Sequence, residues 1–432
     1  MKRFQPLPRV SAAHALIAAI MLLVALPPAL AQFGDVDRSG YVRSYIGALT
    51  QQDGDYAIVQ NALDLRFDKT GPQIGFHVNP YIYQYPDPAL SPRTDEFEID
   101  LRQAYVDLYF DTFDVRMGKQ QIVWGKADGV FITDIVSPKD LSEFLLRDFS
   151  EIRIGVTAAK LDYYTGNNTF ELVWLPVFTP TIAPEEGSLW RPAFELSVAM
   201  PTRFDRSEEE VGASLDNSEL FARWSMISSA YDFELIAGWM WEDEPILQTA
   251  IKPSSLPGAP DSLVVLPEHH RLLTVGGSAS TTVGPWVFTG EAAFVKGAWF
   301  ETKTKTIPVG AIENDYIHWM GGLSRDIAGT TISSQFIQTA VLDHQDAVLA
   351  DEFDNMMTLS LRDTFMRETL GLELFSYIGF NESDALVRPS VDYSFADAVN
   401  LTLGANLFFG GRGTFGQYSD NDMVYLKVRF DF

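Results

Sequence analysis

From Gly40 onward the side-chain character of this chain repeats every two residues, not every 3.6. The clearest case is the C-terminal run, where Val424, Leu426, Val428, Phe430 and Phe432 alternate with Tyr425, Lys427, Arg429 and Asp431. Alternation of this kind puts one apolar and one polar face on an extended strand. Leu370, Leu372 and Leu374 against Gly371 and Glu373 repeat it, as do Asn61, Leu63, Leu65 and Phe67 against Ala62, Asp64 and Arg66. The pattern predicts eighteen strands: 40–50, 56–68, 72–83, 95–111, 112–122, 150–163, 167–178, 217–228 and 231–242 in the first half. The second half supplies 270–283, 284–300, 313–325, 330–342, 355–364, 367–380, 384–395, 399–409 and 420–432. Phe194, Leu196, Val198 and Met200 also alternate, so the count is open between 16 and 20.

The connections alternate too. Short turns such as 165–167, 228–230 and 283–285 interleave with long loops at 84–94, 123–149, 179–216, 243–269, 301–312, 343–354 and 410–420. Long strands, short turns at one end and long loops at the other are the rhythm of a membrane barrel. A soluble sandwich alternates as well, but its strands are usually of five or six residues. Aromatic pairs near strand ends (Tyr81 and Tyr83, Trp239 and Trp241, Trp299 and Phe300, Phe430 and Phe432) suit the two lipid–water interfaces. The expected fold class is therefore all-β, a transmembrane antiparallel β-barrel of about 18 strands.

Residues 1–31 read as an export signal. Lys2, Arg3 and Arg9 precede the apolar run 15–26, and Ala29-Leu30-Ala31 offers a small-x-small cleavage pattern. The barrel is then residues 32–432, in the outer membrane of a Gram-negative cell. Its expected partners are outer-membrane lipid and lipopolysaccharide, together with the barrel assembly machinery, which would read the strand ending at Phe432. A homo-oligomer is compatible with the fold. The 58 acidic against 32 basic residues argue against nucleic acid, and the lack of cysteine removes disulfides, thiolate catalysis and cysteine-held metals. Much of the acidic excess falls in the long loops, as at Asp343, Asp346, Asp351, Glu352 and Asp354, giving an acidic mouth that gathers cations.

Enzymatic signatures are missing from the sequence. It contains no Gly-x-Ser-x-Gly elbow, phosphate loop or dinucleotide fingerprint, so neither catalytic residues nor a cofactor are expected. Asp35-Val36-Asp37-Arg38-Ser39-Gly40 opens like a calcium loop but has Ile46 at its twelfth position. His269 and His270 lack a third ligand at metal-binding spacing, and Glu208, Glu209 and Glu210 read as a solvated run, so no metal site is expected.

The most distinctive stretch is Gly118-Lys119-Gln120-Gln121-Ile122-Val123-Trp124-Gly125-Lys126-Ala127-Asp128-Gly129, followed by Ser137-Pro138-Lys139-Asp140. It resembles a large, mostly uncharacterised family of proteobacterial outer-membrane porin-like barrels with a Gly-Lys/Arg-Gln…Trp-Gly segment. A more distant similarity is to alginate-export and phosphate-selective porins. The resemblance covers about residues 113–155 and implies a porin-like protein with no catalytic residues. Independently, Ser137, Pro138 and Asp140 read as cap, first position and capping acid of a short helix ending near Asp148. Exposing Trp124, Phe144 and Leu145 outside would leave an apolar patch, so 123–149 is expected to fold into the barrel as a constriction, with Phe144 and Leu145 on the wall.

Charges on the lipid face cost about 2–4 kcal/mol for Arg or Lys at the midplane, so the charged faces must line the lumen. The predicted pore-lining and constriction residues are Arg66, Arg102, Arg116, Gln120, Lys126, Asp128, Asp134, Lys139, Arg147, Arg223, Arg362, Glu373, Arg388, Lys427 and Arg429. They predict a channel for passive passage of small solutes. Two other functions fit the same fold: a conduit for hydrophobic compounds or lipids, and a non-transporting adhesive or structural barrel.

Overall fold

The computed structural model describes residues 36–432 apart from 52–54, 87–89, 91–96, 186, 193–201, 208, 254–260 and 304–309. The signal-like stretch and the alternating run at 194–200 lie outside the described residues. In chain order the strands are β1 (Asp37–Leu49), β2 (Tyr56–Thr70), β3 (Ile74–Gln84), β4 (Phe97–Tyr109), β5 (Phe113–Gln120), β6 (Val156–Thr165) and β7 (Asn168–Leu175). Then come β8 (Thr202–Phe204), β9 (Glu219–Ile227), β10 (Tyr231–Trp241), β11 (Ile246–Lys252), β12 (Ser262–Glu268), β13 (Arg271–Val283) and β14 (Trp286–Glu301). The last are β15 (Ala311–Ile327), β16 (Thr330–Val341), β17 (Phe353–Phe365), β18 (Leu370–Gly379), β19 (Asp384–Ala396), β20 (Val399–Phe409) and β21 (Met423–Asp431).

Eighteen of these form one sheet, each pairing antiparallel with its neighbour in the ring. Strand β1 pairs with β2 on one side and with β21 on the other, which closes the sheet into a barrel. The expected strands match these eighteen one for one. The remaining three, β8, β11 and β12, form a small separate sheet. This corrects the reading of 243–269 as a plain loop: Ile246–Lys252 pairs with Ser262–Glu268 as an antiparallel pair beside the ring.

Alternation assigns the faces. On β7, Phe170, Leu172 and Trp174 are exposed while Glu171, Val173 and Leu175 are buried. On β21, Val424 and Leu426 are exposed and Tyr425 turns inward. The outer surface therefore carries a belt of exposed Leu, Val, Phe and Trp, and the charged faces line the interior. One aromatic expectation fails. Tyr81 and Tyr83 are not part of an interfacial girdle; they are buried inside the barrel, where their hydroxyls have charged partners. Tyrosine suits either face, so alternation alone could not place it.

The EF-hand-like stretch is not a loop, since Asp37 to Gly40 lie in β1 and pair with β2. His269 donates from Nδ1 to the Glu242 carbonyl, and His270 stacks on Trp299.

The face assignment predicts an asymmetry on β20. Leu403, 59% exposed on the outer face, replaced by Arg should cost roughly 2–4 kcal/mol of stability in lipid vesicles. Thr402→Arg, next door but facing the interior, should cost clearly less. Urea titration of the refolded barrel measures both.

Candidate functional site

Between β5 and β6 the chain leaves the wall for residues 121–155. This segment bonds to residues on strands spread right round the ring, which only a chain inside the ring can do. The first contacts come from the distinctive motif itself. The Trp124 indole N–H donates to Glu171 on β7 at 2.6 Å, and the ring packs edge-on to Phe221. Gly125 follows with φ +82, a conformation that aims the next amides at one carboxylate. The Lys126 and Ala127 amides, the Thr133 amide and the Thr133 hydroxyl all donate to Glu291 on β14. Glu291 is thus held by a nest of donors, and a methyl group on Gly125 would lie 2.6 Å from Thr133 Oγ1. The Trp124-Gly125 step is therefore a docking device.

Further along, Asp128 and Gln335 on β16 exchange two hydrogen bonds, and Tyr377 on β18 donates to the Gly129 carbonyl at 2.8 Å. Arg388 on β19 donates to the carbonyls of Leu145 and Leu146. Lys427 on β21 reaches Asp148 at 2.6 Å. Arg43 on β1 grips Glu151 with both terminal nitrogens, at 2.7 and 3.0 Å, and touches Asp148 at 3.3 Å. Tyr41 donates to Glu151, Arg102 on β4 donates to the Ser150 carbonyl, and Arg147 donates to Tyr83 on β3. Burial alone would raise the Glu151 carboxyl, but Arg43 and Arg102 outweigh it and hold the group well below the usual carboxylate range.

The helix expected over 138–148 does not form. Ser137 Oγ accepts the Ile122 amide, Lys139 bridges Arg153, and Asp140 bridges Ile182 and accepts from Ser142. Tertiary partners take the groups that would have capped a helix, and Phe144 turns at φ +55. A four-residue helix, Phe149–Ile152, comes later, in what was expected to be the start of a strand. Phe144 packs against Phe408, Phe415 and Tyr418 on the opposite side of the barrel from Trp124, in an aromatic cluster that also takes in Trp190.

Seven of the predicted residues line one cavity of 480 Å³ between the segment and the β17–β21 wall: Asp128, Arg147, Arg362, Glu373, Arg388, Lys427 and Arg429. The others separate. Arg66 pairs with Asp64, Arg116 with Asp107, Arg223 with Glu171, and Lys126 approaches Asp232 at 3.7 Å. Gln120, Asp134 and Lys139 do not line this cavity. Gln120 is buried against the Ala158 carbonyl; Asp134 takes the Trp124 amide and Arg153, and Lys139 caps the carbonyls of Asp134 and Ser137. Arg102 is likewise buried, as an anchor for the segment. Sequence reading missed Arg43, Asp148 and Glu151. Tyr41, Arg43 and Tyr45 alternating with Val42, Ser44 and Ile46 was the available signal, blurred by the two tyrosines.

Residues 77–345 match the model of a family described as a protein of unknown function (DUF1302). The chain belongs to that family. No curated protein matches the sequence. Among solved structures, the barrel is similar to Pseudomonas aeruginosa OpdK with vanillate (TM-score 0.54, 10% identity, 92% of this chain and 98% of that one). It is similar also to P. aeruginosa OccK8 (OprE) (0.54, 11%, 92% and 98%) and to a BenF-like porin from P. fluorescens Pf-5 (0.54, 10%, 93% and 98%). The fold is that of outer-membrane porins.

Two outcomes check the docking. Gly125→Ala, which crowds the nest, should expose the segment to trypsin at Lys126 and Arg147 in the folded barrel, where the parent chain resists. The second concerns pH. A depressed Glu151 contributes docking stability above the ordinary carboxylate range and loses it only as pH falls through its own lowered value, so the parent segment should stay protected down to about pH 4. Arg43→Gln removes the larger of the two cations that oppose burial, so protection should fail at a higher pH than in the parent, as read with pepsin, which unlike trypsin cleaves in acid.

Proposed function

We propose that this protein is a passive outer-membrane channel for small polar solutes, exported by residues 1–31, whose constriction is the segment 121–155. The observation that carries this reading is the 480 Å³ polar cavity left between the docked segment and the β17–β21 wall. Its lining faces Arg43, Arg147, Arg362, Arg388, Lys427 and Arg429 with Asp128, Asp148, Glu373, Asp392 and Asp431. A nearly balanced wall admits polar solutes without trapping either sign strongly. Among the described residues Arg388 is the lining cation with no carboxylate within ion-pair distance, since its nitrogens bond to Asn406 and two carbonyls. That uncompensated charge tilts the wall toward anions. The cavity volume suits a small organic acid, the class of ligand with which the OpdK neighbour was solved. The apolar packing of Trp124 and Phe144 serves docking in this reading, not an oily path.

Planar-bilayer recording tests it. The protein should give small ohmic steps, and Gly125→Ala or Glu291→Ala should enlarge them severalfold by loosening the constriction. Arg388→Glu should move the reversal potential toward cation preference without loss of conductance. Absence of steps in the parent and in both loosened variants would overturn the channel reading and leave the conduit for apolar compounds.

A further inference from the structure

The outer face of the barrel has one feature that neither docking nor passage uses. Across β10, β13 and β14 lies an open groove of 520 Å³; Asp232, Ser280 and Thr289 along it alternate inward, and the one outward hydroxyl, that of Thr281, is taken by the Ala230 carbonyl. Its floor is Ala279 facing Gly290, and Gly290 faces Gly321 on the next strand. Its walls are Tyr231 and Phe233 on one side and Phe288 on the other. Packing does not require these glycines. A methyl group on Gly290 would meet nothing nearer than 3.8 Å, and one on Gly321 nothing nearer than 4.0 Å. A smooth barrel would fill the space with a side chain; this one leaves it open among exposed Leu235, Val275, Phe294 and Leu323.

One end of the groove carries a charge. Two residues beyond Phe288, about 7 Å along the strand, Trp286 pairs with Arg325 across β14 and β15. Glu291 and Met320 turn inward, so by alternation Trp286 and Arg325 face out. The guanidinium lies 4.9 Å from the indole centre with its Nε covered, and among the described residues no carboxylate comes within ion-pair distance, which leaves its terminal nitrogens to meet an anion. This end holds the short turns 228–230, 284–285 and 328–329, and the last residues of β21, which makes it the periplasmic end of an outer-membrane barrel. An outward arginine on a tryptophan at the interface is placed for an anion at headgroup depth, and guanidinium forks suit phosphate.

We propose that this groove is a binding site for one anionic glycerophospholipid of the inner leaflet. One acyl chain lies over Ala279, Gly290 and Gly321 between the aromatic walls, and the phosphate rests on Arg325 and beside Trp286. The occupant is a phospholipid because the outward face lies in hydrocarbon, the lining offers the chain no polar demand, and the cation sits at the periplasmic leaflet. The inference rests on the barrel alone and stands whether or not the lumen conducts.

Native mass spectrometry of the full chain in detergent, titrated with phosphatidylglycerol and with phosphatidylcholine, tests it. The parent should retain one phosphatidylglycerol at least tenfold more tightly than phosphatidylcholine. Arg325→Gln should abolish that preference, and Gly290→Leu, which fills the groove, should weaken binding of both lipids about tenfold. Heat-modifiable migration in gels confirms that each variant is a folded barrel. Equal retention by parent and variants would overturn the site, as would a dimer mass that disappears in Gly290→Leu, since a second copy would then be the occupant.

Discussion

Everything in this molecule follows from the need to leave no backbone N–H or C=O unpaired in hydrocarbon. Strands satisfy one another only sideways, so the sheet must return to its start, and β21 pairing with β1 completes it. Closure then fixes the two faces. A residue that alternates outward meets lipid and must be apolar; its neighbour faces a lumen where charge is affordable only with a partner. The interior of this barrel shows the result, with Arg116 on Asp107, Arg223 on Glu171 and Arg362 on Glu373.

The docked segment extends the same logic. A chain of irregular backbone inside a barrel brings orphan amides and carbonyls with it, and the wall answers them with side chains. Glu171 and Glu291 receive donors on one side; Arg388 and Tyr377 supply them to carbonyls on the other. Apolar packing adds adhesion at two places, around Trp124 and around Phe144. Removing one partner of such a buried set leaves the other unsatisfied, at roughly 1–3 kcal/mol for each neutral group. The segment is therefore held by specific complementarity as much as by area.

The ring was legible in the sequence because each strand carries its own alternation over eight residues or more, so eighteen signals could be counted independently. Inward charge was legible for the same reason. What failed was where a side chain reads equally well in two places, or where tertiary partners outbid a local pattern. Tyr81 and Tyr83 look like interfacial residues until Arg43, Glu151 and Arg147 are seen beside them. Ser137, Pro138 and Asp140 look like a helix start until the bonds to Ile122, Ile182 and Ser142 are known. The Trp124-Gly125 step stood out in the sequence but could not be understood there, since its reason is a glutamate 166 residues further along the chain from Gly125, on β14.

The seam of the ring has a peculiarity of charge. Arg43 on β1 stands directly opposite Arg429 on β21, with Lys427 one inward position away, so the first and last strands meet with three cations together. Like charges directly opposed across a strand pair are unfavourable. Asp431 takes Arg429, but the anions that answer Arg43 and Lys427 are Asp148 and Glu151, which belong to the docked segment and not to either strand. The segment thus acts as a counterion for the last step of assembly. Seating the segment therefore favours closure of the ring, and a barrel with its segment displaced keeps like charges opposed where its two ends meet.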